Sequence, residues 1–213
     1  EGGIWMNTQR PEWNDANNAL AGRGLSVVTL GYLRRYLVFF RELLENCALQ
    51  AVPVHHEVAR FYGQMDEILA RFAPMISAGF TDQQRREMMD ALGHAGSEFR
   101  WGFYRQGLSG ELTQVPLDGL RRFLALTQAY VDQSLHANHR ADDLYHAYNT
   151  LQISSGAAKV QHMYEMLEGQ VSILSSGLLS GKEALKLLDS LRAGQLYRAD
   201  QHSYILYPDR DLP

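Results

Sequence analysis

The chain has 213 residues, 46% of them hydrophobic, and a formal net charge of −4 with acids and bases interspersed. That is enough apolar material for a packed core, and no basic block or acidic tail points to nucleic acid or to a solvating role. Cys47 is the only cysteine, which excludes an intrachain disulfide and a cysteine-based zinc cage and fits a reducing, cytoplasmic setting. The longest apolar runs are too short and too interrupted to span a bilayer.

In chain order, the opening "EGGIWMNTQRPEW" has no initiator Met and no signal peptide, and the chain stops at "YPDRDLP" without a polar tail. Both ends read as interior sequence, so the expectation is a piece of a longer polypeptide. Residues 10–22, "RPEWNDANNALAG", gather two acids, a tryptophan and three asparagines. From Gly24 to Leu49 the spacing predicts a helix with an apolar stripe of Val28, Tyr32, Tyr36, Phe39, Leu43 and Cys47. Pro53 suits the first turn of a second helix, whose stripe runs from Val54 to Phe72. Thr81 with Gln84 forms a capping-box pattern ahead of a third helix, Asp82 to about Arg105.

"GLSGELTQVPLDG" reads as a loop, and Leu117 to His136 as a long helix. "RADDLYHAYNTLQISSGAA" lacks helical punctuation and is expected to be irregular, with a short strand near Tyr145–Ile153. Met163 to Ser176 reads as a fifth helix. Ser180 with Glu183 repeats the capping-box pattern and opens a sixth helix, to about Arg192. The tail is irregular, with a short strand expected at Ser203–Tyr207. Helices joined by loops make the expected fold class all-α, as in a helical array or a toroid of helical hairpins.

Four clusters bear on chemistry. In the first, Glu12 and Asp15 are three residues apart and can point into one cleft. Trp13 can wall a sugar ring, while Asn14 and Asn17 offer donors and acceptors to hydroxyl groups. That set fits glycosidic bond chemistry, in which a carboxylic acid protonates the leaving oxygen. The plainer alternative is that Asp15 or Asn17 caps the next helix.

The second cluster holds Asp143, His146 and Tyr148. An Asp143–His146 pair in extended chain could orient a substrate hydroxyl, or it could be an exposed polar loop. In the third, Glu165 and Glu168 share one face of the expected fifth helix. Glu168, beside Gly169 and an apolar run, is a candidate second carboxylate for an inverting pair, or a surface residue at a glycine kink. The fourth is the tail around Arg198 and His202, which could bind a phosphate or carboxylate, or could pack across helix ends. His55 and His56 lack the i, i+4 spacing of a helical metal site, so no metal is assigned.

"PEWNDANNALAGRG", read with "LSVVTLGYLRRYLVFF", resembles the segment around the tryptophan-asparagine-aspartate motif of the cellobiose-phosphorylase family, and more loosely that of other (α/α)6-barrel glycosidases. The family form has Asp before the tryptophan, where Glu12 stands here, and Ala16 follows Asp15. The resemblance covers about thirty residues. It implies an (α/α)6 toroid with irregular substrate-side loops, of which residues 1–213 would form an incomplete C-terminal portion. It further implies inverting cleavage of an oligosaccharide by water or phosphate, with Asp15 as general acid and Glu12 as the alternate. No cofactor is implied, phosphate being a possible co-substrate. The implied partners are the oligosaccharide and the rest of the parent polypeptide, with neither nucleic acid nor membrane. The alternative is a non-catalytic helical scaffold or carbohydrate-binding domain.

Overall fold

The computed structural model describes residues 1–6 and 20–209. Its helices are α1 (Val27–Glu45), α2 (His56–Phe72), α3 (Met75–Ala78), α4 (Asp82–Gln106), α5 (Leu117–His136), α6 (Leu167–Ser175) and α7 (Gly181–Ala193). Between them lie β1 (Ile4–Met6), β2 (Gly24–Ser26), β3 (Ala51–His55), β4 (Leu112–Pro116), β5 (Tyr148–Ser154), β6 (Ala157–His162), β7 (Tyr197–Arg198) and β8 (Ser203–Tyr204). The fold is therefore mixed α and β. The expected all-α class, and with it the toroid of helical hairpins, is overturned by a four-stranded sheet in the order β1-β2-β5-β6 and by two two-stranded ribbons.

The reason lies in strand length and pairing distance. β2 has three residues and β3 five, too few to display the alternation that marks a strand. Their partners are remote: Ala51 pairs with Pro116, and Leu25 with Asn149. Pro53, expected in a helix, sits mid-strand opposite Gln114, in a two-stranded ribbon where a residue without an N–H is tolerated. The helix begins three residues later, at His56.

The chain divides into two compact units, Glu1–Tyr36 with Val131–Gln152 and Lys159–Pro213, and Leu37–Tyr130 with Ile153–Ala158. In the first unit, β1 runs antiparallel to β2, and β2 antiparallel to β5. The Gly22 amide donates to the Met6 carbonyl at 2.6 Å, so the chain is tied to itself where β1 ends and again just before β2 begins. Leu20, Ala147, Tyr148 and Met166 form a buried cluster against which Met6, Val28, Met163 and Tyr164 pack. Two glycines allow close approach around it. A Cβ at Gly31 would strike Ser172 of α6, and one at Gly169 would sit 3.0 Å from Ala147.

In the second unit, Leu69, Phe72 and Tyr130 are the buried centre, ringed by Phe80, Phe123 and neighbouring aliphatic side chains. The Tyr130 hydroxyl donates to the Leu69 carbonyl at 2.6 Å, which satisfies its buried polar end. α2 and α4 pack through the stacked rings of Phe61 and Phe99, with centroids 4.8 Å apart.

Both capping boxes are present: Thr81 and Ser180 each accept the N3 amide while Gln84 and Glu183 reach back. The expected stripe on α1 is turned the other way. Leu30, Leu37 and Leu44 are buried, whereas Tyr32, Tyr36, Phe39 and Leu43 are more than half exposed. α1 is apolar on two sides, and periodicity alone does not say which side faces in. Arg34 and Arg41 contribute to the choice, because on the inward side they reach Asp132 and Gln128, each at 2.7 Å. No helix among the described residues is long and apolar enough to cross a membrane.

Candidate functional site

The expected acid and sugar ligands Glu12, Trp13, Asn14, Asp15 and Asn17 lie outside the described residues. What is described is the ground at either end of that stretch. Met6 on one side and Leu20 on the other both pack on the cluster containing Tyr148 and Met166. The two described residues that flank the stretch thus rest on one cluster of the first unit.

Tyr148 and Glu168 meet there. Tyr148 opens β5 and is buried, and its hydroxyl donates to Glu168 Oε2 at 2.6 Å. Glu168 lies in the first turn of α6, where a carboxylate is favoured by the helix dipole. Its half-buried position follows from its neighbours. Gly169 presses on Ala147, and Gln170, fully buried, accepts the Tyr145 amide at 2.9 Å and donates to the Tyr145 carbonyl at 2.8 Å. Gly169 is thus a close-packing glycine rather than a kink.

Glu165 does not share a helix face with Glu168, because α6 begins only at Leu167. It pairs instead in a β-bridge with His146 and receives Arg140 at 3.1 Å. Arg140 also grips Asp142 at 2.8 Å, which holds the Asp142 carboxyl below the usual range.

Asp143 and His146 are not joined to each other by any hydrogen bond or ion pair among the described residues. Asp143 has a positive φ of 63°, a sparsely populated conformation for a residue with a side chain. It receives Lys186 at 2.8 Å and His139 at 3.5 Å. Together with Tyr145 and Glu183 these groups line a polar cleft of about 270 Å³. Burial, then the charges of Glu183 and Asp143, push the Tyr145 phenol up, so it stays a hydrogen-bond donor.

His146 turns elsewhere. It lies flat on His162, with ring centroids 4.3 Å apart, and its Nδ1 donates to the Met163 carbonyl at 2.7 Å. Burial, then the neighbouring His162, pulls His146 down, while burial, then Arg140, pulls His162 down. Both rings are therefore held neutral. His162 Nδ1 donates to Asn149 Oδ1 at 2.9 Å. Buried Asn149 donates in turn to the Gly2 carbonyl and to Asn138 Oδ1, both at 2.7 Å, and Asn138 donates to the Glu1 carbonyl at 2.8 Å. This network fastens the first residues of the chain against β5. Sequence reasoning missed Asn138, Gln170 and the partnership of His162, because uncharged amides leave no pattern and their partners are remote.

In the tail, Arg198 is taken up by Asp200 at 3.2 Å and Asp209 at 3.3 Å, and the Tyr197 hydroxyl lies 3.5 Å from His202. That arrangement fits the packing alternative better than an anion site. The chain matches no protein-family model and no curated protein.

Proposed function

We propose that the chain cleaves a glycosidic bond in an oligosaccharide, with inversion, by water or by phosphate. The observation that supports the reading is that Met6 and Leu20, the described residues on either side of the acid-bearing stretch, pack on one cluster with Tyr148. Tyr148 is in turn hydrogen-bonded to Glu168, the candidate second carboxylate. An inverting pair needs one protonated and one ionised carboxyl on opposite sides of the sugar. Asp15, of the residue type the resembled motif carries, is the proton donor to the leaving oxygen. Glu168, fixed by the Tyr148 hydroxyl, takes the proton of an attacking water. Where phosphate is the nucleophile, Glu168 instead binds a substrate hydroxyl. Trp13 stacks on a sugar ring, and Asn14 and Asn17 bind its hydroxyls.

The test compares substrates of different leaving-group ability on the intact chain, with and without phosphate. Asp15→Asn should cost about 100-fold in turnover on an unactivated glycoside, the usual scale of general-acid help. On a glycosyl fluoride, which needs little protonation, the loss should be much smaller. Glu168→Gln should lower turnover on both substrates in the water-dependent reaction. Collapse with Glu12→Gln rather than Asp15→Asn would exchange the two roles. A chain that binds oligosaccharide but cleaves none, with phosphate or without, overturns the catalytic reading in favour of a binding domain.

A further inference from the structure

The second unit holds a cleft of about 300 Å³ between the start of α2 and the end of α4. Its back is the stacked pair of Phe61 and Phe99, and half-exposed Phe103 stands at its side. One carboxylate is firmly placed. Glu57 accepts the Ser109 amide at 2.9 Å, and bonding to Ser109 lowers its pKa to about 2, so it is ionised at any physiological pH. Its other oxygen, Oε2, is shielded from solvent and has no hydrogen-bond partner among the described residues. An acceptor in that state is unsatisfied until a donor arrives.

One turn along α2, Arg60 reaches the same cleft and makes no hydrogen bond or ion pair among the described residues. Glu98 is also there, holding Gln64 at 3.3 Å. A cationic ligand would satisfy Glu57 and meet Arg60. An anion would satisfy Arg60 and meet Glu57 and Glu98. A hydroxyl group donates and accepts at once, and so serves both. A ligand with several hydroxyls and an apolar ring face also suits the phenyl wall.

Gly102 keeps the side toward Phe103 open. It lies within α4, where glycine is costlier than alanine, and a Cβ there would meet nothing within 4 Å.

We infer that this cleft binds a neutral saccharide, with Glu57 Oε2 accepting from a hydroxyl, Arg60 donating to one, and the aromatic side chains taking the ring face. The inference does not rest on the catalytic reading. It concerns residues of the second unit alone and is tested by binding, so either can fail without the other.

The test is NMR titration and calorimetry of the intact chain with cellotriose and maltotriose, with methylguanidinium and inorganic phosphate as the cationic and anionic comparisons. One or both trisaccharides should bind at millimolar concentration and perturb amides of residues 56–64 and 98–109. Gly102→Leu, which fills the cleft from a position with room for a side chain, should weaken that binding at least tenfold, while Gly102→Ala keeps the chain folded. If Gly102→Leu impairs folding, exposed Arg60→Met carries the test and should weaken binding likewise. No trisaccharide perturbation of residues 56–64 and 98–109, perturbation there that survives both substitutions, or preference of those residues for methylguanidinium or phosphate overturns the inference.

Discussion

Asn149 and His162 meet end to end, and the imidazole of His162 lies on that of His146. At the scale of these residues, folding selects a charge state. Both histidines have their pKa lowered, so the unfolded chain takes up protons at these positions that the folded chain refuses. Their contribution is fully present above the ordinary histidine value of about 6.5 and is lost as pH falls through and below it. The melting temperature is therefore expected to drop between pH 7.5 and pH 5.5. The double substitution His146→Gln, His162→Gln should shrink that drop. An unchanged drop in the double variant would place the proton uptake elsewhere. The lowered carboxyls Glu57, Asp142, Glu183 and Asp200 work in the same direction but act nearer pH 4, below this window.

Among elements, the helices that carry their own stop and start chemistry were legible in the sequence. Leu117–His136 is found where the spacing places it, and α4 and α7 begin behind the two capping boxes. Those signals are local: a hydroxyl, an acid or amide three residues on, and a period of three to four. Thr81→Ala and Ser180→Ala are each expected to cost about 1 kcal/mol, since each strips two satisfied groups from a helix end. Chemical denaturation would measure it, and a loss near zero at either site would show that tertiary packing alone sets that boundary. The strands were not legible because what makes them strands is a partner far away, as Val54 depends on Thr113. The site divides in the same manner. Tyr148 and Glu168 were both named as candidates, yet their hydrogen bond joins positions twenty residues apart on a strand and a helix. Asp143 and His146, read as a pair by their spacing, part because Asp143 lies at positive φ within a tight turn, in which the Arg140 amide donates to the Leu144 carbonyl, whereas His146 bridges to Glu165.

Taken over the whole molecule, the apolar surface is unevenly spent. α1 shows Tyr32, Phe39 and Leu43 to solvent, Phe39 at 61% exposure, while its buried side is also apolar. Contiguous apolar surface of that kind promotes association or dye binding in water. The chain is expected to bind a hydrophobic dye and to sediment with a concentration-dependent size. Phe39→Lys with Leu43→Lys should reduce both while leaving the melting temperature within a degree or two, because neither side chain is buried. A strictly monomeric, dye-silent wild type would count against the expectation. The clasp between Gly22 and Met6 has an evolutionary consequence. It joins two backbone groups, so any apolar residue that fills the same space at position 6 keeps it. Gly22 has a φ of 81°, a conformation that favours glycine. A lineage is therefore expected to vary more freely at position 6 than at position 22.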